Sequence, residues 1–227
     1  LPIFKNTNFK RIKNPYIQLK MASNYDNSAW FYDSLSKLFY GKSLINAQVY
    51  LLSFIKPNSS ILIAGGGTGW ILEEIAKIHP SGLKITYVEI SANMMALSKK
   101  RAVGDNDVIF INSPVEEVSF AEKFDIIITP FLFDNFTGDT LQKVFDHLHP
   151  LLKTDGLWLN TDFQLTGKWW QNVMLKTMFV FFKIVCGIET SVLPDINKQF
   201  EQYGYDAIAQ KTFYGDFVSS KNFKKSS

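Results

Sequence analysis

The sequence predicts an α/β fold: a doubly wound, mainly parallel sheet of seven strands that ends in an antiparallel hairpin. Three observations predict it. Short apolar runs of strand type alternate with helix-patterned segments from Ile61 to Asp162, which implies right-handed crossovers between parallel strands. The first run, Ile61-Leu62-Ile63-Ala64, breaks into a glycine turn, Gly65-Gly66-Gly67-Thr68-Gly69, just ahead of a helical segment. The last two runs flank Tyr214-Gly215-Asp216, a tight turn that folds them into a hairpin.

The elements follow in order. Residues 29–55 carry Trp30, Leu35, Leu38, Phe39, Ile45, Val49 and Leu52 on repeating faces, broken near Gly41, and read as helix. A strand at 61–64 leads to a helix over 70–78, closed by His79-Pro80-Ser81-Gly82. A strand at 84–89 precedes a helix over 92–102, and a strand at 108–111 ends in Asn112-Ser113-Pro114-Val115. The strand at 124–129 meets Pro130-Phe131, and a helix over 138–149 ends at Pro150. Thr154-Asp155-Gly156 is expected to turn the chain into a strand at 157–162. The hairpin takes 206–213 and 217–220, so the last strand is expected to run antiparallel.

Composition sets the bounds. A chain of 227 residues, 46% apolar, can bury a full core as one domain. The expected organisation is a basic N-terminal extension or arm over 1–24, a single domain over 25–222 with an apolar helical lid at 166–192, and a tail over 223–227. The lone Cys186 excludes an internal disulfide and suits a reducing cytoplasm. Net charge is +3, but five basic residues lie in 1–20 and three more are Lys221, Lys224 and Lys225. Without those eight positive charges the body of the chain carries −5, which argues against a nucleic-acid-binding face. No apolar stretch reaches the length of a membrane span. Cys and His do not cluster as metal ligands.

The glycine turn carries the chemistry. Glycines let a chain turn sharply and bring a ligand against its backbone, and a helix starting there offers free N–H groups to an anionic group. The second strand ends on Glu89, and a carboxylate there can accept two hydrogen bonds from a ribose diol. The pair reads as a site for a nucleoside-containing cofactor. The dinucleotide fingerprint Gly-x-Gly-x-x-Gly fails in either register, because its last position falls on Trp70 or Leu72. The phosphate-loop pattern is absent too, since Gly41-Lys42-Ser43 lacks the upstream glycine. Ligands of such sheets bind outside the carboxyl ends of the strands. Those ends bring together Ala64 with Gly65, Gly66, Gly67 and Gly69, then Glu89 and Ile90, then Ser113, Pro114 and Val115, and lastly Thr129 and Phe131.

A Gly-x-Gly-x-Gly turn followed by an acid ending the second strand resembles motif I and its successor in class I S-adenosylmethionine-dependent methyltransferases. The resemblance extends over roughly residues 25–220 and implies a Rossmann-like sheet, S-adenosylmethionine as cofactor and methyl transfer. Gly65, Gly67 and Gly69 match motif I, Glu89 matches the ribose-binding acid, and Met94 matches a methionine near the adenosine. Ser113 stands where family members often carry Asp on the adenine, with Pro114 and Val115 beside the ring. The family's acid two residues before the first glycine is replaced by Ile63. The apolar residues before the glycine run also resemble aminopropyltransferases, whose acidic polyamine segment is here Thr129-Pro130-Phe131-Leu132-Phe133. A non-catalytic relative is the third alternative, and an NAD-dependent oxidoreductase the least favoured.

The segment Asn24–Asp33 looks like the entry helix of the quinone-biosynthesis methyltransferases, with Tyr25, Tyr32 and Tyr40 as aromatic candidates to close over a sulfonium. The stretch from Trp169 to Val185 is apolar except for Lys176, Lys183 and a few neutral polar residues. It is expected to cover the sheet as a lid over an apolar or aromatic small-molecule acceptor, with Phe131, Phe133 and Phe136 nearby; a homodimer interface and a peripheral membrane contact are alternatives for the same surface. No residue is assigned catalysis. Asp134 and Asp162 are the carboxylates best placed to act as a base, and His147 and His149 read as surface or packing residues.

Overall fold

A computed structural model of the chain describes residues 42–136, 138–186 and 192–226, with backbone alone for 181–186. The N-terminal arm and Tyr25, Tyr32 and Tyr40 lie outside the described residues. The elements in order are α1 (Ser43–Leu52), β1 (Ser60–Ala64), α2 (Trp70–Ile78), β2 (Ser81–Glu89), α3 (Ala92–Ser98), β3 (Asp105–Asn112), β4 (Phe124–Pro130), α4 (Gly138–Leu148), β5 (Leu152–Phe163), α5 (Trp169–Cys186), α6 (Ile196–Gln202), β6 (Tyr205–Phe213) and β7 (Val218–Lys225).

The strands form one seven-stranded sheet in the order β3-β2-β1-β4-β5-β7-β6. Strands β1 to β5 run parallel to one another, and β7 runs antiparallel to both β5 and β6. The order reverses between β1 and β4, and this switch point opens a crevice at the carboxyl ends.

Burial follows from the alternation of side chains along each strand. Leu62, Ala64, Ile127 and Trp158 face one core with Val144, Phe145 and Phe200 of α4 and α6. Ile61, Ile63, Ile126 and Ile128 face the other with Ile71, Leu72 and Ile75 of α2. Central parallel strands are covered on both sides, which is why Ile61 to Ala64 is apolar without a break. A third cluster joins α5 to the sheet end through Phe163, Leu175, Met178, Phe217 and Val218. On β7, Ser220 donates to the Ala47 carbonyl at 2.7 Å and ties α1 to the sheet.

Several bounds differ from the sequence reading. Strands β2 and β3 start earlier, at Ser81 and Asp105. Helix α3 stops at Ser98, whose hydroxyl donates back to the Met95 carbonyl. Strand β5 begins at Leu152, so Thr154-Asp155-Gly156 lies inside it as an irregularity and not as the entry turn. A Cβ at Gly156 would stand 2.6 Å from Leu152 Cδ1 and 3.0 Å from the Asp125 carbonyl oxygen, so glycine permits that close approach. Strand β7 extends to Lys225, past the tail boundary expected at 223.

Candidate functional site

The glycine turn closes β1 and opens α2. Gly65 donates its N–H to the Val88 carbonyl at 2.9 Å, which holds the turn beside the end of β2. Gly69 caps α2 in the left-handed region at φ 79°, a conformation that costs other residues about 1–2 kcal/mol. Its missing Cβ also lets α3 dock, since that atom would lie 2.5 Å from Ser98 Cβ and 2.7 Å from Ser98 Cα. Gly67, at φ 64°, has no described residue within 4 Å of where its Cβ would be. That open face is where a ligand can rest on the backbone.

Glu89 lies across this turn. Its carboxylate is 5% exposed and accepts from Gly67 N at 2.8 Å through one oxygen and from Ser91 N at 2.8 Å through the other. The carboxylate thus stands where the glycine turn meets the entry to α3. Ser91 in turn caps α3, its hydroxyl accepting from Met94 N at 3.2 Å. Asn112 Nδ2 donates to the carbonyls of Glu89 and Ile90 at 2.8 and 2.9 Å, and Ser113 N donates to the Glu89 carbonyl. Ala64, Glu89, Ile90, Met94, Ser113, Pro114 and Val115 therefore line the ends of three adjacent strands, with Met94 and Val115 buried and Ser113 and Pro114 half-buried. Ile63 is fully buried in the second core. A glycine face open to a ligand beside a buried carboxylate fits an adenosine-bearing cofactor.

Thr129 does not join them. It is fully buried, its hydroxyl donates to Asn160 Oδ1 at 2.8 Å, and it accepts from Trp158 Nε1 at 3.0 Å. Its side chain locks β4 to β5 inside the core, because a buried indole N–H needs an acceptor. Phe131, by contrast, is half-buried just past the carboxyl end of β4. Its backbone is left-handed at φ 51°, its N–H donates to the Thr161 carbonyl at 2.7 Å, and Asn135 Nδ2 donates to its carbonyl at 2.9 Å. Strain of about 1–3 kcal/mol at such a position is held by those two bonds. The same turn presses Leu132 against Gly65, where a Cβ would stand 2.7 Å from Leu132 Cδ1. From Phe131 a run of ring contacts leads through Phe163 (5.1 Å) and Phe217 (5.1 Å) to Trp170 (5.9 Å) on α5.

Asp134 and Asp162 meet at this end of the sheet. Asp162 is 4% exposed and accepts from Phe133 N at 3.2 Å and Phe163 N at 3.0 Å. Burial pushes its carboxyl up to about 7. Burial first, and then the charge of Asp162, hold Asp134 well above the usual carboxylate range. Two like charges that close cannot both ionise easily. The histidines lie elsewhere: His149 Nδ1 is 3.2 Å from Tyr205 Oη and His147 packs on Phe120 at 5.9 Å. Among the described residues no group of His, Cys, Asp and Glu could hold a metal ion.

Helix α5 covers the aromatic run with one face only. Leu175 and Met178 are buried there, whereas Trp169 is 78% exposed and faces solvent with Val173 and Val180. Trp170, not Trp169, is the tryptophan that packs onto the sheet end, against Tyr214 and Phe217. Among the described residues no helix is long and apolar enough to cross a membrane.

A sheet in this order, with a glycine turn after β1 and a buried acid ending β2, defines the class I methyltransferase fold, whose members draw their methyl group from S-adenosylmethionine. Residues 61–156 match the family model described as a methyltransferase domain. It is 30% identical over 134 residues to a malonyl-[acyl-carrier protein] O-methyltransferase of Priestia megaterium, covering 57% of this chain and 47% of the relative. It is 27% identical over 212 residues to the ubiquinone/menaquinone biosynthesis C-methyltransferase UbiE of Geotalea daltonii, covering 90% of this chain and 84% of the relative. The chain thus spans about half the length of the O-methyltransferases it matches. The fold is shared with the solved 1,6-didemethyltoxoflavin-N1-methyltransferase of Burkholderia thailandensis, at a TM-score of 0.66 and 13% identity over 96% of this chain and 95% of that one. The structure described as a DhpI-SAH complex gives 0.68 and 12% over 92% and 97%.

The sequence reading missed three residues that shape the site. Ser91 was legible, since a serine three residues ahead of Met94 at a helix start is a capping signal. Asn135 donates to the Phe131 and Leu132 carbonyls within its own turn and Arg101 donates through Nε to the distant Thr68 carbonyl at 2.9 Å, and no local pattern marks either.

Proposed function

We propose that this chain transfers a methyl group from S-adenosylmethionine to a small acceptor that is apolar or aromatic, in the crevice at the carboxyl ends of β1, β2, β4 and β5. The observation that carries the reading is the open Gly67 backbone set against the buried Glu89 carboxylate. Bound there, the cofactor supplies a methyl group on a sulfonium. Glu89 holds the ribose diol, Met94 and Val115 enclose the base, and Ser113 faces its polar edge. The aromatic run from Phe131 to Trp170 supports an apolar or aromatic acceptor and excludes water from the reacting end. Asp134 and Asp162 provide a carboxylate pair able to hold the proton that a hydroxyl, enol or activated carbon gives up on methylation. The malonyl-[acyl-carrier protein] O-methyltransferases and the ubiquinone/menaquinone biosynthesis C-methyltransferase frame the first acceptors to try: malonyl-[acyl-carrier protein] and precursors of ubiquinone or menaquinone. The lone cysteine supports a cytoplasmic setting.

Thermal unfolding with S-adenosylmethionine, S-adenosylhomocysteine, decarboxylated S-adenosylmethionine and NAD, each alone, tests the cofactor. Ligand at a hundredfold over its dissociation constant adds about 2.7 kcal/mol, roughly 5–10 °C in a chain of this size. A shift with the first two ligands that is lost in Glu89→Ala is expected. A shift confined to NAD sinks the proposal, and one confined to the decarboxylated form turns it to aminopropyl transfer.

A further inference from the structure

Two side chains outside the ligand-facing set hold the glycine turn from beneath. Tyr87, fully buried in β2, donates its hydroxyl to the Gly67 carbonyl at 2.8 Å. Gly66 makes room for that ring, because a Cβ there would stand 2.2–2.5 Å from Tyr87 Cε2, Cζ and Oη. Arg101, just past α3, donates through Nε to the Thr68 carbonyl at 2.9 Å and reaches Glu73 of α2 at 3.5 Å. Gly67 is therefore gripped on both sides of its residue: Glu89 takes its N–H and Tyr87 bonds its carbonyl. The next carbonyl is fixed by Arg101. Glu89 and Arg101 also join the turn to α3, the first through Ser91 and the second at the helix's far end.

We propose that Tyr87 and Arg101 are positioning residues that preorganise Gly67 and Thr68 for the cofactor, so that they set its affinity without touching it. The inference rests on the cofactor reading above. Three consecutive glycines are costly to order, and a turn that must be ordered on binding lowers affinity by the fraction of time it spends in the competent shape. Two donors on adjacent carbonyls, one buried and one half-buried, remove that loss before the ligand arrives. The phenol is well suited to this work, since its rigid ring delivers a hydroxyl through the core to one atom.

The test uses Tyr87→Phe, which deletes only the hydroxyl, and Arg101→Ala beside Arg101→Lys. Titration calorimetry with S-adenosylhomocysteine should show about a tenfold weaker dissociation constant for Tyr87→Phe, the size of one lost hydrogen bond. Arg101→Ala is expected to weaken it by a similar factor, with Arg101→Lys recovering part of the loss because an ammonium can still donate to the Thr68 carbonyl. Amide hydrogen exchange of the ligand-free protein gives a second reading that needs no cofactor. Exchange over residues 65–70 should quicken in Tyr87→Phe and Arg101→Ala, while the β4 and β5 amides stay as protected as in wild type. Unchanged exchange at the turn, or wild-type affinity in both variants, overturns the inference. Quickened exchange across the whole sheet does so too, because it makes these residues general stabilisers. If wild type itself fails to bind S-adenosylhomocysteine, the cofactor reading falls, and the exchange data still decide whether the brace exists.

Discussion

Replacing Asp162 by Asn should remove a pH-dependent weakness from the fold. Asp162 sits at the end of β5, almost fully buried, beside Asp134. Its carboxyl is pushed up from 3.8 to about 7, with burial the largest cause. The folded state therefore binds this proton more tightly than the unfolded chain. The stability it contributes is fully present below about pH 4 and is lost as pH rises through about 7. Three units at 1.36 kcal/mol each put the whole effect at roughly 4 kcal/mol, and some 2–3 kcal/mol of it falls between pH 5 and 8. Asp134 shifts the same way and adds to the slope. Asparagine has the same shape and no charge at any pH, so Asp162→Asn should flatten the curve. It carries a constant cost, since one of the N–H groups of Phe133 and Phe163 would face an amide NH2; an unsatisfied buried donor costs about 1–3 kcal/mol. Urea unfolding of both proteins at pH 5, 6, 7 and 8 measures this. The variant should lose ground to wild type at pH 5 and recover at least 2 kcal/mol of the difference by pH 8. A difference that stays constant over that range refutes the reasoning, for it would mean that Asp162 titrates as an ordinary exposed carboxyl.

Other consequences separate binding from folding. Gly67→Ala should cost about 1–2 kcal/mol of stability from its left-handed backbone alone, yet abolish S-adenosylhomocysteine binding by calorimetry, because its new methyl group meets no described residue and projects toward the proposed ligand. Gly69→Ala meets the backbone of Ser98 at 2.7 Å and should lower the melting temperature further than Gly67→Ala does. Thr129→Val should destabilise the protein by about 1–3 kcal/mol in urea, by stranding Trp158 Nε1, while the affinity for S-adenosylhomocysteine stays at the wild-type value. Trp169→Ala should leave stability within about 0.5 kcal/mol and acceptor turnover unchanged. Trp170→Ala, which loses ring contacts with Tyr214 and Phe217, should lower both.

The parts of this site that were legible in the sequence share one property: their cause is local. The glycine turn, the acid ending β2 and the alternation of apolar runs each follow from residues within a few positions of one another, so Gly65 to Gly69 and Glu89 fall where the pattern puts them. Strand order and the crevice then follow from connection rules that hold for nearly every parallel sheet. Thr129 shows where the reasoning stops. Its position near the end of β4 is right, but which way a strand residue faces depends on register, and here the register sets it opposite Asn160 with Trp158 near by. A one-residue change in phase moves a side chain from one face of the sheet to the other. Trp169 and Trp170 make the same point on a helix, where one position is about 100° of rotation and separates a solvent-facing ring from one that joins the aromatic run. The Tyr87 and Arg101 bonds to the turn were invisible for a further reason. Both cross more than a dozen residues to reach main-chain carbonyls, and a carbonyl has no sequence signature. The same logic bears on Ile63. A carboxylate at that point in β1 would sit in a fully buried apolar layer, whereas the braces the turn does have come from β2 and from the end of α3. The sequence around the glycines is therefore compatible with a rigid cofactor turn whose support lies in other elements, and its reach is measured by whether exchange at residues 65–70 tracks the hydroxyl of Tyr87.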